Sequence, residues 1–243
     1  MSKDQDDFTA SLVGLSGLFS GPGALTATLV RVAELAVQAI PGADGAGLTL
    51  VEPHRAKTVV GTGGFVTEVD EIQYGLGEGP CVSAVAESRT FTSGNLGGEP
   101  KWPRFGPRVG RLGVHSALSL PLLNHDGTAM GALNVYAHPR DAFDAAAVRL
   151  GEAFAAPASV SVANAALLAQ AERLVAQLHQ ALSSRAEIDQ AIGIVMSRSG
   201  ITAAEAFDRL RDLSQAKSVK LADVARDLIG EAVRRARAGH ADG

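Results

Sequence analysis

The chain has 243 residues, 46% of them apolar, and a formal net charge of −4. That gives room for one large or two modest soluble domains. A single cysteine, Cys81, excludes an intramolecular disulfide and a Cys-rich zinc site. No apolar run reads as a transmembrane span, and the N-terminus carries acids where a secretory leader needs a basic region. A cytoplasmic protein with no membrane partner is therefore expected.

In chain order, residues 1–22 read as a flexible acidic leader. Residues 24–40 carry the periodicity of an amphipathic helix, stopped by Pro41-Gly42. Residues 47–51 and 58–61 are strand-like, with the turn-prone Pro53-His54 between them. A Gly-rich segment, GLGEGPC, precedes a short helix at 82–87 and a short strand at 90–92. Residues 95–107 read as a loop and 108–113 as a helical turn. Runs 116–123 and 129–137 form a hairpin across Asn124-His125-Asp126-Gly127, where Asp-Gly supplies the turn. From residue 141 the chain reads as helical to 198, with a possible break at Pro157. Helix, strands, loop-rich middle, hairpin and helix predict an α+β domain with an antiparallel sheet.

The motifs GLGEGPC, NLGGEPKWPRF, LGVHSALSLPLL and GALNVYAHPRDAF resemble those of a GAF domain, a ligand-sensing relative of the PAS fold. The resemblance covers residues 23–168 and implies an antiparallel sheet flanked by helices and an unidentified small-molecule ligand. Cys81, Trp102, Phe105 and His115 are the candidate pocket residues. His115 stands where related sequences often have Arg. Each has a packing alternative: Cys81 as a small buried residue at a helix start, Trp102 and Phe105 as core. Some GAF proteins reduce methionine sulfoxide, but that chemistry uses several cysteines. The GLGEGPC loop lacks the Lys-Ser/Thr of a phosphate-binding loop, and the six histidines show no metal-ligand spacing. No metal, cofactor or catalytic residue is expected, and no enzyme.

Residues 169–184 read as a coiled-coil linker helix. Leu167, Ala171, Leu174, Leu178, Ala181, Arg185, Ile188, Ile192 and Val195 recur at alternating spacings of four and three, a seam suited to a homodimer. The alternative is that these residues pack only within their own domains.

Residues 185–237 contain three apolar stripes of helical period: Ile188 to Met196, Ala203 to Leu213, and Leu221 to Ala232. Gly200 suits a left-handed helix end, and residues 202–205 spell a capping box. The segment resembles an ANTAR domain, the three-helix RNA-binding module of transcription antiterminators. The resemblance rests on Ser184-Arg185, Ile188, Gln190-Ala191, Gly193, Met196, Ala206-Phe207, Leu210, Ser214, Lys220-Leu221 and Val224-Ala225. Ile192 replaces a Lys common in the family. The resemblance implies binding of paired stem-loop RNA through Arg185, Gln190, Ala191, Gly193, Arg198, Lys217 and Lys220. Residues 238–243 read as a flexible tail.

Charge alone does not point to RNA. Residues 172–243 carry 11 Lys/Arg against 10 Asp/Glu, and residues 1–171 carry 11 against 16, whereas phosphate contacts supply most nucleic-acid affinity. The combined expectation is a GAF sensor, a coiled-coil linker and an ANTAR effector acting by antitermination in nascent transcripts. The rivals are a DNA-binding regulator and a sensor whose helical tail only oligomerises.

Overall fold

The structure, a computed structural model, describes residues 3–17, 25–52 and 55–241. The chain divides into two compact units, residues 1–169 and 170–243.

In the first unit, helices α1 (Lys3–Ser16) and α2 (Leu25–Ala39) precede strands β1 (Gly45–Glu52) and β2 (Arg55–Gly61). Then come α3 (Gly64–Leu76), α4 (Pro80–Glu87), β3 (Phe91–Ser93), a 3-10 turn at Leu96–Gly98 and α5 (Gly106–Gly110). Strands β4 (Ser116–Leu123) and β5 (Ala129–Ala137) form the expected hairpin and lead into α6 (Ala145–Ser199). The sheet runs β2-β1-β5-β4-β3 and every pairing is antiparallel.

Strand alternation sorts the side chains into two layers. Ala46, Leu48, Leu118, Leu120, Leu122, Leu133 and Val135 face a core shared with α1, α2 and α6. Thr49, Ala117, Ser119, Asn134 and Tyr136 fall on the opposite set of positions. There Ala117 and Tyr136 join Val66 and Val69 of α3, Ala84 of α4, and Leu96, Trp102, Phe105 and Val109 in a second core.

The structure corrects several sequence expectations. Residues 3–16 are helical rather than a flexible leader, because Phe8 and Leu15 lie on one face and enter the first core. Residues 1–2 and 18–22 of that leader lie outside the described residues, as does the Pro53-His54 turn. The C-terminal helix runs to Ala241, which leaves little of the expected tail, and 242–243 are again outside the description. Pro157 sits inside α6 without ending it. Phe154, Ala155, Ala158 and Val162 anchor the helix on both sides of it in the first core, and such packing outweighs local propensity. A stretch of α6 is apolar and long enough, by length and composition alone, to cross a membrane, yet 33% of it is buried inside the protein. Its inward residues, Phe154, Ala155, Ala158 and Val162, are core residues of the first unit.

In the second unit the end of α6 meets α7 (Ala203–Lys217) and α8 (Leu221–Ala241). Ala191, Leu210, Val224 and Ala225 form the core, with Ile188, Ile192, Val195, Leu221, Leu228 and Ile229 packed around it. Gly200 closes α6 at φ +65°, its N–H donating to the Met196 carbonyl at 2.9 Å. The capping box is present: Thr202 Oγ1 accepts from Glu205 N–H at 3.3 Å, and Glu205 Oε2 accepts from Thr202 N–H at 2.8 Å. Thr202→Ala should destabilise the second unit by about 1 kcal/mol in urea unfolding; an unchanged midpoint would show that the cap adds nothing to this bundle.

Candidate nucleic-acid interface and sensing core

The second unit presents a helix face that its own packing does not use. Arg185, Gln190, Gly193, Arg198, Lys217 and Lys220 are all exposed. Ala191 is wholly buried in the three-helix core. It is a packing residue, and its expected place among the RNA contacts is withdrawn. Ile192 packs on the same core, so the family's missing Lys is replaced here by an intra-domain contact.

Gln190, Gly193, Ile194, Ser197 and Arg198 of α6 line a shallow groove of about 490 Å³, closed on one side by Ala232 of α8. Arg185, Lys217 and Lys220 lie outside its lining. None of the four candidate cations is in an ion pair among the described residues. Gly193 is the informative residue. Glycine inside a helix costs about 1 kcal/mol relative to alanine, yet a Cβ built there meets nothing within 4 Å. Internal packing therefore does not require the glycine.

The groove's two helices are joined by Arg226, whose guanidinium donates to both carboxylate oxygens of Glu187 at 2.9 and 3.2 Å and to Asp223 at 3.0 Å. Glu187 and Asp223 hold the guanidinium above its ordinary pKa. Ile194 is not singled out by the sequence and Ala232 reads there only as part of the third apolar stripe, since no local signal brings residue 232 beside residue 193.

In the first unit three of the four expected pocket residues, Cys81, Trp102 and Phe105, are buried. Trp102 and Phe105 are core residues, with Trp102 Nε1–H donating to Ser83 Oγ at 3.1 Å. His115 is half-buried, and its Nδ1 is the one buried side-chain nitrogen or oxygen without a hydrogen-bond partner among the described residues. Cys81 is wholly buried. Burial and the nearby Asp70 push its thiol up to about 11, against hydrogen bonds with Tyr74 and Thr49 that pull the other way. It stays protonated at neutral pH, which suits a packing role.

Cys81 borders a buried polar cluster that sequence reasoning missed. Asp70 is fully buried, and its Oδ1 accepts from Tyr136 OH at 2.5 Å, Gln73 Nε2 at 2.9 Å and Asn134 Nδ2 at 3.3 Å. Asn134 Oδ1 accepts from Ser119 at 3.0 Å, and Gln73 Oε1 accepts from Cys81 N–H at 3.0 Å. Thr49 and Tyr74 hydroxyls are hydrogen-bonded to each other. Burial and the Asp70 charge hold the Tyr136 phenol well above its ordinary pKa.

The Gly-rich motif now has a structural reading. Gly79, at φ +150°, lies so close to Gln73 that a side chain would collide with it. Glu78 accepts the backbone N–H groups of Arg104 and Phe105 at 2.6 and 3.0 Å and the Arg104 side chain at 2.8 Å. The Arg104 guanidinium lowers the pKa of that carboxyl. GLGEGPC and KWPRF are thus two halves of one loop clasp.

A separate apolar groove of about 700 Å³ lies between the end of β4 and α6, floored by Leu120, Ala155, Ala156 and Val160, with Arg89 and His125 among its lining. None of the four expected pocket residues lines it. Pro121 and Ser159 block this strand end: the proline has no N–H, and Ser159 Oγ accepts the N–H of Leu123 at 3.1 Å.

The GAF domain family matches residues 24–163, and the ANTAR domain family matches residues 176–229. The chain belongs to the GAF domain family and carries an ANTAR domain. Solved structures agree with the fold of the GAF domain. The GAF domain of a phosphoenolpyruvate-protein phosphotransferase from Coxiella burnetii is 17% identical over 70% of this chain and 99% of that one, with a TM-score of 0.55. A free methionine-R-sulfoxide reductase from Neisseria meningitidis is 19% identical over 67% and 91%, TM-score 0.51. A putative GAF sensor protein from Burkholderia vietnamiensis is 18% identical over 65% and 94%, TM-score 0.51. No match is found among curated proteins. GAF and ANTAR are regulatory domains, and together they make the protein a signal-responsive regulator.

Proposed function

We propose that the protein binds paired stem-loop RNA in nascent transcripts and acts by antitermination, with its GAF domain taking a small-molecule signal in the cytoplasm. The reading assigns residues 23–168 to the sensor, 169–184 to a coiled-coil linker that forms a homodimer, and 185–237 to the RNA-binding domain. The observation that carries it is the exposed Gly193, set in a groove beside Gln190 and Arg198. RNA loops are read by polar groups and stacking on splayed bases, with cations on the backbone. Gln190 offers a donor and an acceptor, Arg198 a planar cation, and Gly193 lets a base approach the helix. Arg185, Lys217 and Lys220 are the outer phosphate contacts.

Gly193→Leu separates recognition from folding. Because a Cβ at this position meets nothing within 4 Å, the variant should gain about 0.5–1 kcal/mol of stability. It should lose affinity for stem-loop RNA by at least roughly tenfold, or about 1.4 kcal/mol. Unchanged affinity in a stable variant would place the RNA face elsewhere.

A further inference from the structure

The linker part of α6 carries more apolar residues than one coiled-coil seam uses. Every residue from 170 to 183 is exposed in the single chain. Leu167, Leu168, Leu174, Val175, Leu178 and Leu182 are between 46% and 67% exposed. Two complete sets of alternating four- and three-residue spacing run through them. One is Leu167, Ala171, Leu174, Leu178, Ala181 and Arg185. The other is Leu168, Ala171, Val175, Leu178, Leu182 and Arg185. Both share Ala171, Leu178 and Arg185, and both end where Ile188 turns into the ANTAR core.

We propose that the linker helices of two copies pack through either of these seams, and that rotation of each helix between them couples the GAF domain to the RNA-binding face. The inference rests on the homodimer reading above. At 100° per residue, exchanging one seam for the other turns the helix by about 50° about its own axis. The two seams bury similar aliphatic volume, so neither excludes the other, which is the condition for a bistable element.

The charge pattern favours a second copy as the occupant. Between residues 167 and 184 only Glu172 and Arg173 carry a formal charge, so self-pairing sets like charges across the axis only at Arg185, the last member of both seams, where a long side chain can turn its head to water. Gln170, Gln177 and Ser184, which flank the first seam, can hydrogen-bond to their own counterparts. A partner selected by charge would find nothing here to read. Arg185 terminates both seams five residues before Gln190 on the same helix, so rotation of the seam turns the α6 part of the RNA groove.

Disulfide geometry can test this, because cysteines with Cα atoms more than about 7 Å apart are not bridged. Leu174→Cys is central only in the first seam and Val175→Cys only in the second. Gln177→Cys is central in neither and serves as the control, and the native Cys81 is fully buried. Oxidation of full-length protein should give covalent dimers from both the Leu174 and Val175 variants and not from the control. The two covalent dimers should differ in stem-loop RNA affinity by about fivefold or more, the usual lower range of allosteric coupling. Cross-linking of one variant alone, or equal affinities of the two dimers, would overturn the inference and leave the homodimer standing. A sedimentation mass above that of a dimer would also overturn it. A wild-type monomer with no cross-link in any variant would instead remove the homodimer reading itself.

Discussion

The double variant Leu174→Glu/Leu178→Glu should sediment as a monomer and lose about 10²-fold or more in affinity for paired stem-loops, the gain that effective concentration supplies to a two-site binder. Its affinity for a single stem-loop should change little. Both leucines are more than half exposed in the single chain, so the replacements remove no intra-chain core contact and glutamate remains a good helix former. In the dimer each leucine contributes roughly 1.5–3 kcal/mol by burial, and glutamate would set like charges across the axis. Sedimentation velocity with one-loop and two-loop RNA titrations reads both effects. A dimeric double variant would assign dimerisation to the GAF domains. A monomer that still prefers two loops would show that the linker does not join the binding faces.

The second large effect lies in the first unit. Asp70→Ala would leave Tyr136, Gln73 and Asn134 donors directed at an acceptor that is gone. Each buried donor left unsatisfied costs about 1–3 kcal/mol, so the expected loss in urea unfolding is about 3 kcal/mol or more. Asp70→Asn, which keeps one acceptor oxygen, should lose less. Equal losses from the two variants would show that the carboxylate's charge, rather than its acceptor geometry, holds the cluster. A loss below about 1 kcal/mol for Asp70→Ala would mean the donors find other partners.

That cluster also shows where the sequence was opaque. Helix α3 points Val66, Val69, Asp70 and Gln73 inward, a proper helical period. Two of the four are polar, so the apolar pattern alone does not reveal the helix. Polar residues are expected outside, and only the facing strand positions, Thr49, Asn134 and Tyr136, show why these are inside. In α1, Phe8 and Leu15 mark a stripe too sparse to stand out from an acidic leader. Trp102, Phe105 and Cys81 were legible as candidates, but whether they line a cavity or fill a core depends on contacts from distant elements.

The ANTAR domain was the most readable part, because its signals are local. The Thr202 capping box, the Gly200 helix end and the three stripes each depend on neighbours a few residues away. The same locality misled at Ala191. A small residue on a helix fits both close RNA approach and close helix packing, and the three-helix core takes it. At Gly193 packing does not account for the small residue, because no side chain of the domain occupies the space a Cβ would take.

The central claim is tested most directly by crosslinking the full-length protein to nucleic acid in its native cell and recovering RNA and genomic DNA in parallel. The account predicts enrichment of nascent transcripts with tandem stem-loops upstream of terminators, with crosslinks lost in Gly193→Leu and no matching enrichment of the corresponding duplex DNA. Enrichment of discrete duplex DNA sites without the transcripts would contradict it.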